Sequence, residues 1–373
     1  MKRKFALLVF AASCSSGASE PPPAIVDEPS TIEALQTGDD ARSRPPTQEE
    51  AEAILTRIVA FYQGHAAAAN PAGTHELVWV LNPNDESPNA HAELEPGEDW
   101  EIYASTKWLT IESMTTEVFA LTLCHEAGHL VGGFPFKTNQ RSDSEGALGT
   151  TMAAEQQADY FATKDCLPRL WTDESEVNAA AFAELGPSER ERCEAEYGDL
   201  ASQQICGRIL LASLQTGRLY EEQYAAQFLT EIVYPRFDTP DTTETTSTRE
   251  GRVKSQCRFD TLVAGALCNV KATETGIPGW MPPYGEYSPA SEEAARASAC
   301  QTGPGARPKC WYHPGGATAD CSPFGAPECV VDNGQHSIRY CDATDGVYLF
   351  PCLLSQVCEK DADGIADCVP VEE

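Results

Sequence analysis

The amino-acid sequence predicts an α+β fold, in which a mostly helical body with a small sheet precedes a small disulfide-rich module. Three observations lead to this prediction. Apolar residues recur at helical spacing through most of residues 47–268, and only 76–81 and 100–105 have the composition of strands. Eight of the 15 cysteines lie at or after residue 300. We therefore expect a body over residues 47–295 and a module over residues 296–373.

Residues 1–14 resemble a bacterial lipoprotein signal peptide. A basic start at 2–4 precedes a short apolar run at 5–12, and small residues lead into Cys14. Lipidation at Cys14 would place an exported protein in the periplasm or at the cell surface, attached to the outer membrane. Ordinary cleavage after Ala18, which would remove Cys14, is the alternative. Residues 15–46 are rich in proline and small residues, which is typical of a flexible tether.

The chain is strongly acidic. It carries 57 acidic and 26 basic residues, a formal net charge of −31 at pH 7. Such a surface repels phosphate backbones and anionic headgroups. We therefore expect no nucleic-acid partner, and contact with a membrane only through the lipid.

Helix boundaries can be located from capping signals. Thr47 and Glu50 form a capping-box pattern that begins a helix. A second helix is expected over roughly Thr116 to Val131, ended by Gly132 and Gly133. A third is expected over roughly 151–167, ended by Pro168. Further helical patterns cover 187–233 and 255–268.

The cysteine count predicts disulfides. Without Cys14 there are 14 cysteines, which an exported chain would pair as seven bonds. No Cys-x-x-Cys pair occurs, which argues against a cysteine zinc ribbon or a thioredoxin-like redox site. We expect four disulfides among the eight later cysteines, because so small a module cannot bury a sufficient core. Cys124 is also expected to be disulfide-bonded, since its side chain points about 100° away from that of His125.

The stretch "LCHEAGHLVGG" (123–133) contains a metal-binding pattern. His125 and His129 are four residues apart, so in a helix they lie on one face and can hold one ion. Glu126 adjoins them, as a general base on a metal-activated water requires. In the next predicted helix Glu155 can complete a His-His-Glu set, and Asp159, on the same face, can orient a ligand histidine. These residues predict a site for one Zn²⁺ per chain.

The pattern of His-Glu-x-x-His followed by Glu-x-x-Ala-Asp resembles the HtpX and CAAX-prenyl-endopeptidase type of gluzincin metallopeptidase. The segment "NAHAELEPGEDWEIYASTKWLT" (89–110) resembles the family's Asn-Ala stretch and the edge strand that follows it. The resemblance implies a zincin-like fold and a protein or peptide substrate. It also implies substrate contacts at Asn89, Ala90, Ile102 and Arg258, with the substrate added as a strand along 100–105.

The sequence departs from that family at one functional position. Where the family carries a His-Pro pair, with an arginine six residues after the histidine, this chain has Arg252-Val253 and then Arg258. Arg252 is therefore the candidate for stabilising the oxyanion, and Tyr160 or Tyr234 are substitutes. Loss of activity is the alternative outcome, leaving a peptidase-like surface lipoprotein that binds a ligand.

That ligand would be held by the cysteine-rich module. Its end loosely resembles small chitin-binding modules, with Tyr348 and Phe350 as candidate stacking residues. A polysaccharide is therefore the expected partner of the module.

Overall fold

The computed structural model describes fourteen stretches of the chain: 44–69, 76–85, 87–93, 99–135, 152–228, 231–245, 248–249, 253–270, 299–313, 328–332, 335–341, 347–351, 356–360 and 366–370. Cys14, the predicted signal peptide and almost all of the predicted tether lie outside these stretches. Among the described helices, none combines the length and the hydropathy that a membrane span requires.

The structure is α+β, as predicted. The helices are α1 (Gln48–Ala69), α2 (Thr116–Val131), α3 (Glu155–Phe161), α4 (Leu167–Trp171), α5 (Ser175–Glu184), α6 (Pro187–Glu196), α7 (Leu200–Phe228) and α8 (Ser255–Ala266). The strands are β1 (Leu77–Asn82), β2 (Ala90–Glu93), β3 (Trp100–Ser105), β4 (Glu328–Asp332), β5 (Gln335–Cys341), β6 (Val347–Pro351), β7 (Gln356–Lys360) and β8 (Ala366–Pro370).

The predicted capping box forms at the start of α1. The backbone N–H of Thr47 donates to Glu50 Oε2 at 2.7 Å, and the N–H of Glu50 donates to Thr47 Oγ1 at 3.2 Å. Two of the N–H groups that a helix start leaves without intrahelical partners are satisfied in this way. Arg44 also donates to both carboxylate oxygens of Glu50, so the first turn is attached to the chain that precedes it.

The three-stranded sheet of the body corrects one expectation. Its order is β1-β3-β2, with β1 parallel and β2 antiparallel to β3. The predicted substrate strand, 100–105, is therefore central, and its backbone is paired on both sides. An added strand cannot bind there. In the described part of the sheet the free edge near α2 belongs to β2, which sequence patterning missed because it is only four residues long.

The predicted end of the third helix at Pro168 is also wrong. Helix α3 continues through a π-helical segment, Ala162–Cys166, into α4. Pro168 lies in the first turn of α4, where its missing N–H needs no intrahelical partner. The helical path from Glu155 to Trp171 is therefore continuous.

Close packing at a glycine brings α2 and α3 together. A Cβ atom on Gly128 would lie 2.8 Å from both the Cα and the carbonyl oxygen of Ala158, closer than real Cβ contacts. The two helices can approach this closely only because Gly128 has no side chain. On its other side α3 packs against α8. The two helices that carry the predicted metal ligands are thus held at backbone contact within the core.

Five disulfides are present among the described residues: Cys124–Cys166, Cys193–Cys206, Cys257–Cys310, Cys268–Cys300 and Cys329–Cys358. The expectation that Cys124 is disulfide-bonded is confirmed. The expectation that the eight later cysteines pair only with one another is wrong, because Cys300 and Cys310 bond to cysteines at the two ends of α8. Residues 299–313 are therefore covalently attached to the helical body.

The later strands form two small sheets. Strands β4, β5 and β6 make an antiparallel sheet in that order, and β7 pairs antiparallel with β8. Tyr348 and Phe350, the predicted stacking residues, lie in β6 opposite Tyr340 and Ile338. Their role in binding a polysaccharide stays a prediction.

Candidate metal centre

The three predicted metal ligands converge. Glu155 Oε2 lies 3.5 Å from His125 Nε2, and Glu155 Oε1 lies 3.6 Å from His129 Nε2. One ligand atom from each residue lies within 4.8 Å of the other two. Both histidine side chains are 4% exposed, whereas that of Glu155 is 18% exposed. The ligand atoms are therefore aimed at one point whose open side is next to Glu155.

The spacing of these atoms fits zinc. Zn²⁺ binds histidine nitrogen and carboxylate oxygen at about 2.0–2.2 Å in tetrahedral geometry, which places neighbouring ligand atoms about 3.4 Å apart. The two measured separations, 3.5 and 3.6 Å, are close to that value. Two neutral imidazoles and one carboxylate are also a donor set typical of catalytic zinc, which needs a fourth position for water. The residues present fit the ion.

Both histidines are oriented through their second nitrogen. His125 Nδ1 lies 2.7 Å from Asp159 Oδ1, and His129 Nδ1 lies 2.8 Å from the carbonyl oxygen of Ala153. Contacts of this kind place the proton on Nδ1 and leave Nε2 to face the ion. Asp159 therefore lies where its predicted role requires, and that role stays a prediction.

Asp159 is itself held by an arginine. Arg258 on α8 donates from Nε to Asp159 Oδ2 at 2.7 Å and from Nη2 to Asp159 Oδ1 at 3.0 Å. Burial alone would raise the pKa of Asp159, but Arg258 and His125 together hold it below its ordinary value. The carboxylate therefore stays ionised although it is completely buried. Helix α8 thus supports the ligand on α2 through a carboxylate on α3.

The pKa of His125 depends on the same carboxylate, that of Asp159. Burial acts to lower its pKa, but Asp159 beside it outweighs this effect, Glu155 and Glu126 add to the increase, and the pKa is raised to about 9. A metal ion at Nε2 competes with a proton for the same lone pair. Binding of the ion at neutral pH therefore releases a proton.

Glu126 and Tyr220 lie beside the triad. Glu126 is buried, and its carboxylate acts on the ionisation of both His125 and Tyr220. Tyr220 is half-buried on α7, with the Arg258 guanidinium 3.7 Å from its ring centroid. Burial raises the pKa of Tyr220 to about 12, and the carboxylates of Asp159, Glu126 and Glu155 act in the same direction against Arg258. Its hydroxyl therefore keeps its proton at neutral pH.

Sequence reasoning missed Tyr220. It lies 65 positions beyond Glu155 in a long helix, within "RLYEEQY" at 218–224, where no motif distinguishes it. Only the packing of α7 against α2 and α8 brings it to the site. Tyr220 could therefore be identified only from the tertiary structure.

The two tyrosines predicted as substitute oxyanion donors form hydrogen bonds away from the triad. The Tyr160 hydroxyl donates to the carbonyl oxygen of Gly305 at 2.8 Å and receives the N–H of Cys300, so it is satisfied inside the core. The Tyr234 hydroxyl donates to Glu222 on the surface. Neither tyrosine is directed at the triad, and both expectations are corrected. Arg252 lies outside the described residues.

Of the four predicted substrate contacts, two are accessible and two are buried. Asn89 is exposed and Ala90 half-buried, at the start of the edge strand β2. Ile102, in the central strand β3, is fully buried in the core and cannot contact a substrate. Arg258 is 9% exposed and its guanidinium is engaged by Asp159, so it orients the site and does not face a substrate. The expectations for Ile102 and Arg258 are therefore corrected.

A second cluster with the spacing of metal ligands contains Asp241, Cys257 and Cys310. Its two cysteines form a disulfide with each other, which leaves no thiolate to bind an ion. The His-His-Glu triad is the candidate metal centre.

Comparison of the chain with protein-family models, with curated proteins and with solved structures finds no match in any of the three. The resemblance to gluzincins stays a prediction, and the proposed function is based on the geometry of the site.

Proposed function

We propose that the protein is a zinc-dependent endopeptidase. The observation that carries the proposal is the convergence of His125, His129 and Glu155, whose spacing matches tetrahedral zinc, next to the buried carboxylate of Glu126. The ion pair between Asp159 and Arg258 supports it further, since an arrangement that orients a histidine is expected where the histidine binds a metal.

Zinc, when bound, supplies a Lewis acid that polarises a carbonyl group and makes water more acidic. Glu126 takes the proton from the attacking water and passes it to the leaving amine. Tyr220 is the candidate donor of a hydrogen bond to the oxygen that becomes negative as the carbonyl is attacked, because it is protonated and its ring lies against Arg258, which holds Asp159. Asp159 and Arg258 keep His125 in its metal-binding tautomer.

The substrate in this proposal is an extended peptide. Strand β2 packs against α2 and has a free edge within the described sheet, so a peptide can pair there and cross the site. Asn89 and Ala90 lie at the end of that edge. Export, lipidation at Cys14 and action on envelope or extracellular proteins belong to the same proposal.

The test compares the wild-type protein with Glu126→Gln on an unfolded protein such as casein. We expect both to bind one zinc per chain and the variant to lose about 10²- to 10⁴-fold in rate, as for the loss of a general base. Glu112→Gln, at an exposed glutamate just before α2, is the matched control and should cleave normally.

Two results would overturn the proposal. Purified protein that takes up no stoichiometric zinc would remove the metal site. Zinc-loaded wild type that cleaves no more than Glu126→Gln would leave a metal-binding protein without peptidase activity. That second result would favour the ligand-binding alternative.

A further inference from the structure

A cavity of about 590 Å³ lies between α6, α8 and two loops, at residues 237–244 and 304–309. This volume is within the range of about 300–1,000 Å³ that is typical of small-molecule sites. The residues that line the cavity are distinct from those of the His-His-Glu triad. Its chemistry is therefore independent of the candidate metal centre.

One wall of the cavity is an apolar face of α8. Phe259, Val263 and Leu267 are four residues apart, so they lie on one side of the helix, and all three line the cavity. The ring of Phe237 packs edge-on against that of Phe259, with the ring centroids 5.0 Å apart. This wall can bury the apolar part of a ligand.

A second wall is covalently attached to the same helix. Pro304, Ala306 and Pro308 line the cavity. Two disulfides, Cys257–Cys310 and Cys268–Cys300, join the segment that contains them to the two ends of α8. The cavity is therefore formed before a ligand arrives, and binding does not have to order this wall.

Carboxylates outnumber cations in the lining. Four acidic and two basic side chains line the cavity: Asp238, Asp241, Glu244 and Asp260, against Arg192 and Lys309. Asp238 and Glu244 form salt bridges, with Arg236 and Lys309. Within the described stretches, neither Asp241 nor Asp260 forms a salt bridge with a basic side chain. The charge of these two carboxylates favours a cationic occupant.

Asp241 and Asp260 lie next to each other and are oriented by neutral donors. The backbone N–H of Asp241 donates to Asp260 Oδ2 at 2.7 Å, and Gln256 Nε2 donates to Asp260 Oδ1 at 2.8 Å. The N–H of Thr243 donates to Asp241 Oδ1 at 2.9 Å. A carboxylate oxygen accepts more than one hydrogen bond, so both groups can still accept from a ligand.

We propose that this cavity binds an organic ammonium group on an apolar stem, with the carboxylates of Asp260 and Asp241 as its charge partners. The apolar face of α8 buries the stem. A primary ammonium donates up to three hydrogen bonds, which the two carboxylates can accept. A free amine and the lysine side chain of another protein share this chemistry.

Proton linkage gives the site a signature. Burial raises the pKa of Asp260 to about 6, and the Asp241 carboxylate adds to the increase, whereas the Asp241 N–H, Gln256 and Arg192 oppose it. An ammonium ligand stabilises the ionised carboxylate, so binding lowers that pKa and releases protons near pH 6. Affinity therefore falls as the pH falls through about 6. The other charged groups of the lining lie in exposed salt bridges: Asp238, Glu244 and Lys309.

The experiment titrates the full-length protein with benzylamine and with Nα-acetyl-lysine amide, using calorimetry at pH 7 and again at pH 5. Benzyl alcohol, which resembles benzylamine in shape but carries no charge, is the neutral control. We expect saturable binding of an ammonium probe at one site per chain, with benzyl alcohol at least about tenfold weaker. Tighter binding of benzylamine indicates a free amine as the ligand, and tighter binding of the lysine derivative indicates a protein side chain.

Three variants complete the test. Asp260→Asn should weaken binding at least about tenfold at pH 7 and abolish the fall near pH 6, because an amide does not titrate there. Asp241→Asn should weaken binding but keep the pH dependence, so it tests the site even if Asp260→Asn does not fold. Asp173→Asn, at an exposed residue outside the lining, should behave as wild type.

Three results would overturn the proposal. Neither ammonium probe binds saturably, or benzyl alcohol binds as tightly as benzylamine, or the folded variants of the two cavity carboxylates bind as the wild type does.

Discussion

Arg258 and Asp159 are 99 residues apart in sequence and form a two-point ion pair inside the core, with Nε–Oδ2 and Nη2–Oδ1 distances of 2.7 and 3.0 Å. The same carboxylate lies 2.7 Å from His125 Nδ1. One buried anion thus joins α8 to a histidine of the candidate metal centre. The orientation of that histidine depends on a helix that supplies no ligand.

Asp159→Asn should weaken zinc binding by about 10- to 100-fold, because the amide cannot hold His125 in its metal-binding tautomer as the carboxylate does. Chelator competition measures this affinity. The variant should also lose about 3 kcal/mol of stability, since Arg258 is left buried without its counter-charge. Asp238→Asn, at an exposed ion pair with Arg236, is the control. Unchanged zinc affinity in Asp159→Asn would show that this contact does not orient the ligand.

Gly128→Ala should separate α2 from α3. The added Cβ would lie 2.8 Å from backbone atoms of Ala158, which cannot rotate away as a side chain can. We expect a loss of about 1–3 kcal/mol in the free energy of unfolding, together with weaker zinc binding. Gly64→Ala is the matched control, because a Cβ added there would meet no atom within 4 Å and alanine favours a helix. Chemical denaturation of both variants checks the prediction, which fails if they respond alike.

Tyr220→Phe should lower kcat by about 10²- to 10³-fold, as for the loss of an oxyanion donor, with little change in KM or in zinc content. The ring that packs on Arg258 is retained, so the fold should be unaffected. Tyr234→Phe, whose hydroxyl is bonded to Glu222 on the surface, should cleave as wild type. Steady-state kinetics on a peptide substrate separate the two parameters. If KM instead rose by a similar factor while kcat stayed unchanged, Tyr220 would be assigned to substrate binding.

Glu50→Gln should reveal a pH-dependent contribution at the start of α1. Hydrogen bonds from Arg44 lower the pKa of Glu50 to about 2, assisted by Thr47 and opposed by burial. A carboxyl group whose pKa is lowered on folding stabilises the protein above its ordinary pKa of about 4.5, and this stabilisation is lost as the pH falls towards 2. The side chain is 36% exposed, so solvent screening reduces the effect to about 0.5–1 kcal/mol.

Thermal unfolding of Glu50→Gln from pH 7 to pH 3 checks this expectation. The variant should be less stable than wild type at pH 7, and the difference should shrink as the pH falls. Glu49→Gln, at the exposed neighbouring residue, should show a smaller difference at pH 7. A difference for Glu50→Gln that is independent of pH would rule out the ion pair as its cause.

Disulfide mapping of the unreduced protein should recover peptides that join Cys257 to Cys310 and Cys268 to Cys300. Replacing either pair by alanine should cost about 2–4 kcal/mol and make residues 299–313 more sensitive to protease. Replacing Cys329 and Cys358 should leave that segment protected. Crosslinks from Cys300 or Cys310 to cysteines beyond residue 320 would contradict this pairing.

The local features of the fold could be predicted from the sequence alone. The helical period, the capping box at Thr47 and Glu50, and the glycines after Val131 define helices by contacts within a few residues of each other. Part of the candidate site could also be predicted from local spacing, because residues four apart lie on the same face of a helix. His125 and His129 on α2, and Glu155 and Asp159 on α3, could therefore be identified without a structure.

Features that depend on how the helices and strands pack could not be predicted from the sequence. A period of two residues shows that 100–105 is a strand but does not show whether it lies at the centre or the edge of a sheet. Cysteine spacing likewise cannot show that Cys300 and Cys310 bond to α8. Tyr220 reaches the site, and Arg258 turns to Asp159, only because α7 and α8 pack around it. These relationships join residues far apart in the chain, and only the packed core brings them together.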